Sequence, residues 1–312
     1  MSEELLPFDR WLRTNVIYFS LRSVFWVLSI LVNILVFVPS LLNSHFRRDG
    51  FKNLLAQLVL GDIFIALGAF ARLYDQFVHI SGTTVLKCAF LEIPSLIGMQ
   101  MSQFAILFIA IDRFMAVKHP TFYSRMSRQN FVIYRWILFI VLVTLNVSLL
   151  FKQSDVGAFK DMCRLGDHWE KWYVYYLFIW AGIACMAIIV FLVLTMISAQ
   201  SILRSQSENQ KRVYYTFVYI IATYILCWMI PKASYFCLTK MPQLKTRNSF
   251  ISAFQFHFNG IADNVMTLAN FVIYGWRHRE VRIAMKEMFC VKNTPMEIVV
   301  QNPGAVCMNP QG

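Results

Sequence analysis

Charge is scarce in this chain: 15% of its 312 residues are Asp, Glu, Lys or Arg, while 58% are hydrophobic. Soluble domains carry about a quarter charged residues, so a water-soluble enzyme of this length would leave large apolar patches uncovered and is excluded. Glycine and proline are few, at 12 and 9, which excludes collagen-like and low-complexity designs. Disorder is excluded by the 28 phenylalanines, part of a 16% aromatic content. The seven cysteines include no CxxC and no Cys/His ligand spacing, so no metal centre is expected. There is no HExxH and no GxSxG, and no catalytic residue emerges. The net charge of +12 comes without a basic stripe or RNA-binding motif, so nucleic acid is not an expected partner. Lys and Arg flanking membrane spans, facing anionic headgroups of a lipid bilayer, account for it.

What the chain does have is long apolar runs, with a mean hydropathy of +0.53. A hydrocarbon core about 30 Å thick needs roughly 20 apolar helical residues. Seven stretches meet that length, near 20–43, 53–74, 88–116, 131–151, 173–199, 213–238 and 250–276. Their continuity, without alternation, favours helices over a barrel. The expected fold is therefore an all-α membrane protein, a seven-helix bundle over residues 20–276. Residues 1–19 form an extracellular tail lacking a removable signal-peptide pattern. Residues 277–290 form an amphipathic membrane-surface helix, with Val281, Ala284, Met285 and Met288 on one stripe. Residues 291–312 form a disordered cytoplasmic tail. Arg47, Arg48, Lys52, Arg125 and Arg128 make one membrane face basic, which leans towards an external N-terminus and a cytoplasmic C-terminus.

Polar groups inside a span cost about 2.5–3.5 kcal/mol when ionisable, so each needs a reason. Asn33, Asp62, Ser102 and Asn270 lie in the first, second, third and seventh spans. Either each is satisfied separately by backbone and water, or together they form one mid-membrane cluster able to hold a cation such as sodium near Asp62. The third span ends in Asp112-Arg113-Phe114. Arg is always charged and next to an apolar helix end seeks an acceptor, which Asp112 supplies in a resting state. Cys88 precedes Arg113 by 25 residues, about 37 Å of helix, and so sits at the opposite end. Cys163, in the loop after the fourth span, is available there to pair with it.

This ordered set resembles the rhodopsin-like (class A) G protein-coupled receptors over residues 20–290, and in particular nematode serpentine chemoreceptors of the Srsx type. The resemblance implies a receptor with an extracellular ligand and a heterotrimeric G protein as partners. Asn33 and Asp62 match the family's first- and second-span polar residues, and Ser102, Asn270 and Tyr274 join them in the implied hinge and cation network. Cys88 and Cys163 match its disulfide pair. Asp112-Arg113-Phe114 stands for DRY, with Pro120 seven residues after Arg113; together they are the implied coupling residues. Trp136 matches the fourth-span tryptophan, Trp228 and Pro231 stand for the sixth-span activation motif, and Cys290 falls at a lipidation position.

Several positions depart from the pattern. Phe271 replaces the proline of NPxxY. Cys227-Trp228-Met229-Ile230-Pro231 has one residue more between Trp and Pro than CWxP, so Trp228 is expected to be rotated by about 100° from the family's usual place. The fifth span lacks proline, and Lys211 stands where some members place an acid, with Glu208 a turn away. Asn264 replaces the retinal-binding lysine, excluding an opsin, and Ser95 the aminergic aspartate. The candidate ligand-binding residues are Glu92, Met99, Gln100, Gln103, Gln255, His257 and Asp263, with Tyr173, Tyr176, Trp228 and Tyr235 as walls. Glu92 at the helix mouth is expected to be solvated, and Asp263 to pair with Lys232. The functional expectation is a chemosensory receptor for a small environmental molecule. The alternatives are a neuropeptide receptor of the same fold and a seven-span ligand-gated channel of the insect odorant-receptor kind.

Overall fold

The computed structural model describes residues 15–42, 50–78, 83–125, 128–152, 159–160, 163, 169–203, 218–240 and 249–277. They form α1 (Val16–Leu42), α2 (Gly50–Val78), β1 (Thr83–Thr84), α3 (Val85–Lys118), the short α4 (Pro120–Arg125), α5 (Arg128–Lys152), β2 (Phe159–Lys160) and α6 (Lys171–Leu203). α7 runs over 218–240 and α8 over Ser249–Arg277. Of the tail expected at 1–19, residues 1–14 lie outside the described residues, while Val16 onward is already helix because the apolar run begins there. Everything after Arg277, including the expected amphipathic helix and Cys290, also lies outside them. So do Lys211 and Glu208.

The apolar runs are helical because hydrocarbon offers no partner for a backbone amide, so each must be met within its own segment. Most helices outrun the apolar stretches that announce them; α3 covers 34 residues where 88–116 was the expected span. Among the described residues five helices are long and apolar enough to cross a membrane, and the apolar part of α7, Val218–Ser234, is shorter. On α6, Ile179, Ile183, Met186, Val190, Val193 and Ile197 recur every three or four residues and are all exposed. Such a stripe suits lipid and not water. The chain is an all-α membrane bundle.

Its core gathers around α3, which packs on α2, α5 and α6. Ile106 and Ile109 of α3 meet Leu54, Leu58 and Val59 of α2 and Tyr224 and Trp228 of α7 in one buried cluster. Without a hydrophobic drive between helices in lipid, close backbone approach carries the association. A Cβ placed on Gly98 would lie 2.5 Å from the carbonyl oxygen of Gly61 and 2.6 Å from the amide nitrogen of Ile65. The two helices therefore touch backbone to backbone, and only glycine fits there. One element departs from the all-helical expectation. β1 and β2 pair antiparallel, Thr83 opposite Lys160 and Thr84 opposite Phe159, joining two loops beside the Cys88 end of α3.

Candidate functional site

At the Arg113 end, Arg113 donates to Asp112 Oδ2 from Nη2 at 2.5 Å and Nε at 3.0 Å. The other oxygen of Asp112 accepts from Tyr123 Oη at 2.9 Å. Tyr123 is placed by α4, which opens on Pro120; proline suits a first helical position, where no amide is needed. The ring of Phe114 lies 5.7 Å from that of Phe191 on α6, so it packs between helices. Arg135 of α5 is buried and donates to Asn53 Oδ1 of α2.

Mid-bundle, fully buried Asp62 accepts from Asn270 Nδ2 at 2.8 Å and from Ser102 Oγ at 3.5 Å. α2, α3 and α8 meet in this cluster. Asn33 does not join it directly. Its amide donates to the carbonyls of Ser29, 2.8 Å away, and Thr267, 3.4 Å away, while Ser29 Oγ donates to Thr267 Oγ1 at 2.7 Å. Among the described residues the polar axis is thus two neighbouring networks: of the expected set, Asp62, Ser102 and Asn270 meet directly, and Asn33 bonds in the other. Tyr274 lies within α8, its side chain outside the described residues. Phe271 leaves α8 unbroken and packs against the core, and Trp136 stacks edge-on to Phe139.

The expected rotation of Trp228 by about 100° presumes a regular helix, which α7 is not at this point. Ile225–Met229 forms a π-helical turn, closed by the Ile230 amide on the Ile225 carbonyl. A turn of that width takes up one extra residue, so the insertion is absorbed just before Pro231. Trp228 stays buried and stacks on Tyr224, ring centroids 5.1 Å apart at 12°.

At the other end, Cys88 and Cys163 are disulfide-bonded, with their Cα atoms 5.4 Å apart. Gln76 of α2 donates to the Cys163 carbonyl at 2.6 Å. Glu92 is not solvated as expected but fully buried, because Trp169 covers it and donates its indole N–H at 2.8 Å. Cys88, Cys163 and Glu92 converge, yet both sulfurs are spent in the disulfide and offer no thiolate to a metal. Tyr173 is buried and donates to the Asn146 carbonyl at 2.9 Å, with Tyr176 stacked beside it; both serve helix packing. Met99 packs at the junction of three apolar clusters. Gln100 and Gln103 are buried on α3. The side chains of Gln255 and Tyr235 lie outside the described residues.

The family model described as "serpentine type 7TM GPCR chemoreceptor Srsx" matches residues 20–289. The chain belongs to this family. It is a seven-transmembrane GPCR chemoreceptor, a multi-pass membrane protein of a receptor family and not of an enzyme family. No curated protein matches the chain.

In this Srsx-family receptor the expected Lys232–Asp263 pair forms, Nζ to Oδ2 at 2.8 Å. It borders a cavity of about 90 Å³ that also meets Arg22 and Trp26 of α1 and Arg72 of α2. Sequence reasoning missed Arg22, Arg72 and Arg135. Each was visible as a cation inside or beside an apolar run, but their neighbours come from other helices. His257 lies next to this region, its Nδ1 2.5 Å from the Tyr18 hydroxyl. Asp263, Lys232 and His257 are thus gathered near the cavity, whereas Met99, Gln100 and Gln103 belong to the α3 core.

Proposed function

We propose that this receptor binds a small extracellular molecule at its Cys88 end and, on activation, frees Arg113 from Asp112 to engage a heterotrimeric G protein. The observation that carries the reading is the closed Arg113–Asp112–Tyr123 arrangement at one end of α3, with a cavity at the other. Asp112 acts as a latch. A ligand that binds better to the open bundle shifts the population towards it, and Arg113 then offers its planar fork to partner acceptors. The N-terminus is extracellular and the C-terminus cytoplasmic in this reading. Asp62 and the Ser102 hydroxyl supply oxygen donors of the kind a sodium ion takes, and Asn270 holds the carboxylate in place. Bound there, the ion would favour the resting bundle, and Asp62→Asn should abolish any sodium dependence of ligand binding.

The test expresses the receptor with a promiscuous Gα and a calcium reporter and applies biological extracts before and after protease digestion. A response that survives digestion and disappears in Arg113→Ala, at matched surface expression, is expected. A response destroyed by digestion would make the ligand a peptide. A response undiminished in Arg113→Ala would remove Arg113 from coupling.

A further inference from the structure

The ligand's chemistry is legible in the cavity between α1, α2, α7 and α8. Its walls carry three cations, Arg22, Arg72 and Lys232, and one carboxylate, Asp263. Asp263 is engaged by Lys232 at 2.8 Å. Among the described residues the other acid that acts on Arg72 is Glu92, itself held by Trp169. Among the described residues three positive groups therefore stand against two negative ones, an excess of one positive charge in a setting where an uncompensated charge is costly.

Arg22 makes the imbalance specific. It donates from Nη1 to the Tyr18 hydroxyl at 3.1 Å, and its guanidinium carbon lies 5.5 Å from the centre of the Tyr18 ring. Among the described residues its Nε is buried with no hydrogen-bond partner, although guanidinium nitrogens all donate. Gly260 keeps the group in the wall, since a Cβ there would lie 2.5 Å from Arg22 Nη2. Across the cavity Arg72 donates from Nη1 to Ser95 Oγ of α3 at 2.8 Å. Two guanidinium forks suit a carboxylate, which accepts parallel N–H bonds. Trp26 and Leu73 give the same cavity an apolar side. Its size, about 90 Å³, is room for roughly six waters, enough for a few-carbon molecule but not for an extended peptide.

We infer that the cavity bounded by Arg22, Arg72 and Lys232 is the receptor's ligand site and that its ligand is a small organic monoanion, a short-chain carboxylate. The inference rests on the reading of the chain as a small-molecule receptor, and it deepens that reading. Anionic oxygens could also arrive on a lipid headgroup from the surrounding bilayer, so the test separates the two sources.

The full-length receptor in nanodiscs of neutral phosphatidylcholine is titrated with butanoate, hexanoate and their amides, and binding is read as a thermal shift. The carboxylates are expected to raise the melting temperature and the amides not to. Arg22→Gln and Arg72→Gln should each weaken the carboxylates at least about ten-fold, the loss of a charge-assisted hydrogen bond. Arg113→Ala should keep the thermal shift while losing the cellular response, so binding and coupling fail separately. Equal shifts from acid and amide, or full affinity in both arginine variants, would overturn the assignment. So would a shift produced by anionic phosphatidylglycerol nanodiscs alone that blocks the carboxylates, since the occupant would then be a headgroup. A cellular response to extracts with no shift from either acid would leave the receptor reading standing and sink the carboxylate.

Discussion

Trp169 has one polar atom, and it spends it on the carboxylate of Glu92, buried on α3. A hydrogen bond to a charged group is worth about 1.5–3 kcal/mol, and more is at stake when the acceptor has no water to fall back on. Trp169→Phe should therefore lower the melting temperature of the solubilised receptor clearly, while Trp172→Phe, whose indole bonds the exposed side of the chain through Glu170, should lower it little. Equal effects would mean that ring packing, not the bond to Glu92, matters at position 169. At this scale the sequence is informative about which residues need partners and poor at saying which partners they find. Asp263 and Lys232 were matched because both are charges in apolar runs at the same membrane depth. Glu92 was misjudged because its cover, Trp169, comes from a loop whose path no periodicity encodes. Arg22 and Arg72 were passed over for a related reason: which face of α1 and α2 turns inward is fixed by the packing of other helices.

The helices themselves were legible, since twenty apolar residues in a row admit few alternatives; their interruptions were less so. One residue too many before Pro231 reads as a rotated tryptophan if α7 is regular, and the π turn at Ile225–Met229 shows the helix widening instead. Removing Met229 should then convert the wide turn to a regular one with Trp228 still inside, and surface expression should stay near that of the parent. Inserting an alanine after Ile220 meets no such slack and should turn the whole inner face of α7, abolishing expression; comparable expression of the two variants would contradict the register argument. Where α2 and α3 meet, Gly98→Ala forces a methyl against backbone atoms of Gly61 and Ile65. Backbone cannot swing aside as a side chain does, so a loss of about 1–3 kcal/mol is expected, read as a fall in melting temperature. Gly182→Ala on α6, with nothing within 4 Å of the new carbon, is the matched control and should be silent.

Across the whole molecule, α3 links the two functional ends: Cys88 and Glu92 near its start, Ser102 at its middle, Asp112 and Arg113 near its finish. An epitope at residue 1 is expected to be reached by antibody on intact cells and one at residue 312 only after permeabilisation; the reverse pattern would remove the G protein reading altogether. The disulfide joins residues 75 apart, for which chain-entropy arguments in a soluble protein suggest about 4.5 kcal/mol. Here both ends hang from helices that a bilayer already holds, so much of that entropy is gone before the bond closes. Cys88→Ser, Cys163→Ser and the double variant should accordingly destabilise by a similar and smaller amount. The same bond also carries a clock. Cys163 leaves the ribosome only after α5 has been made, and Gln76 and β1 must wait for it to arrive. The staple can therefore fasten only helices that membrane insertion has already placed, and it is free to close while α6, α7 and α8 are still to come.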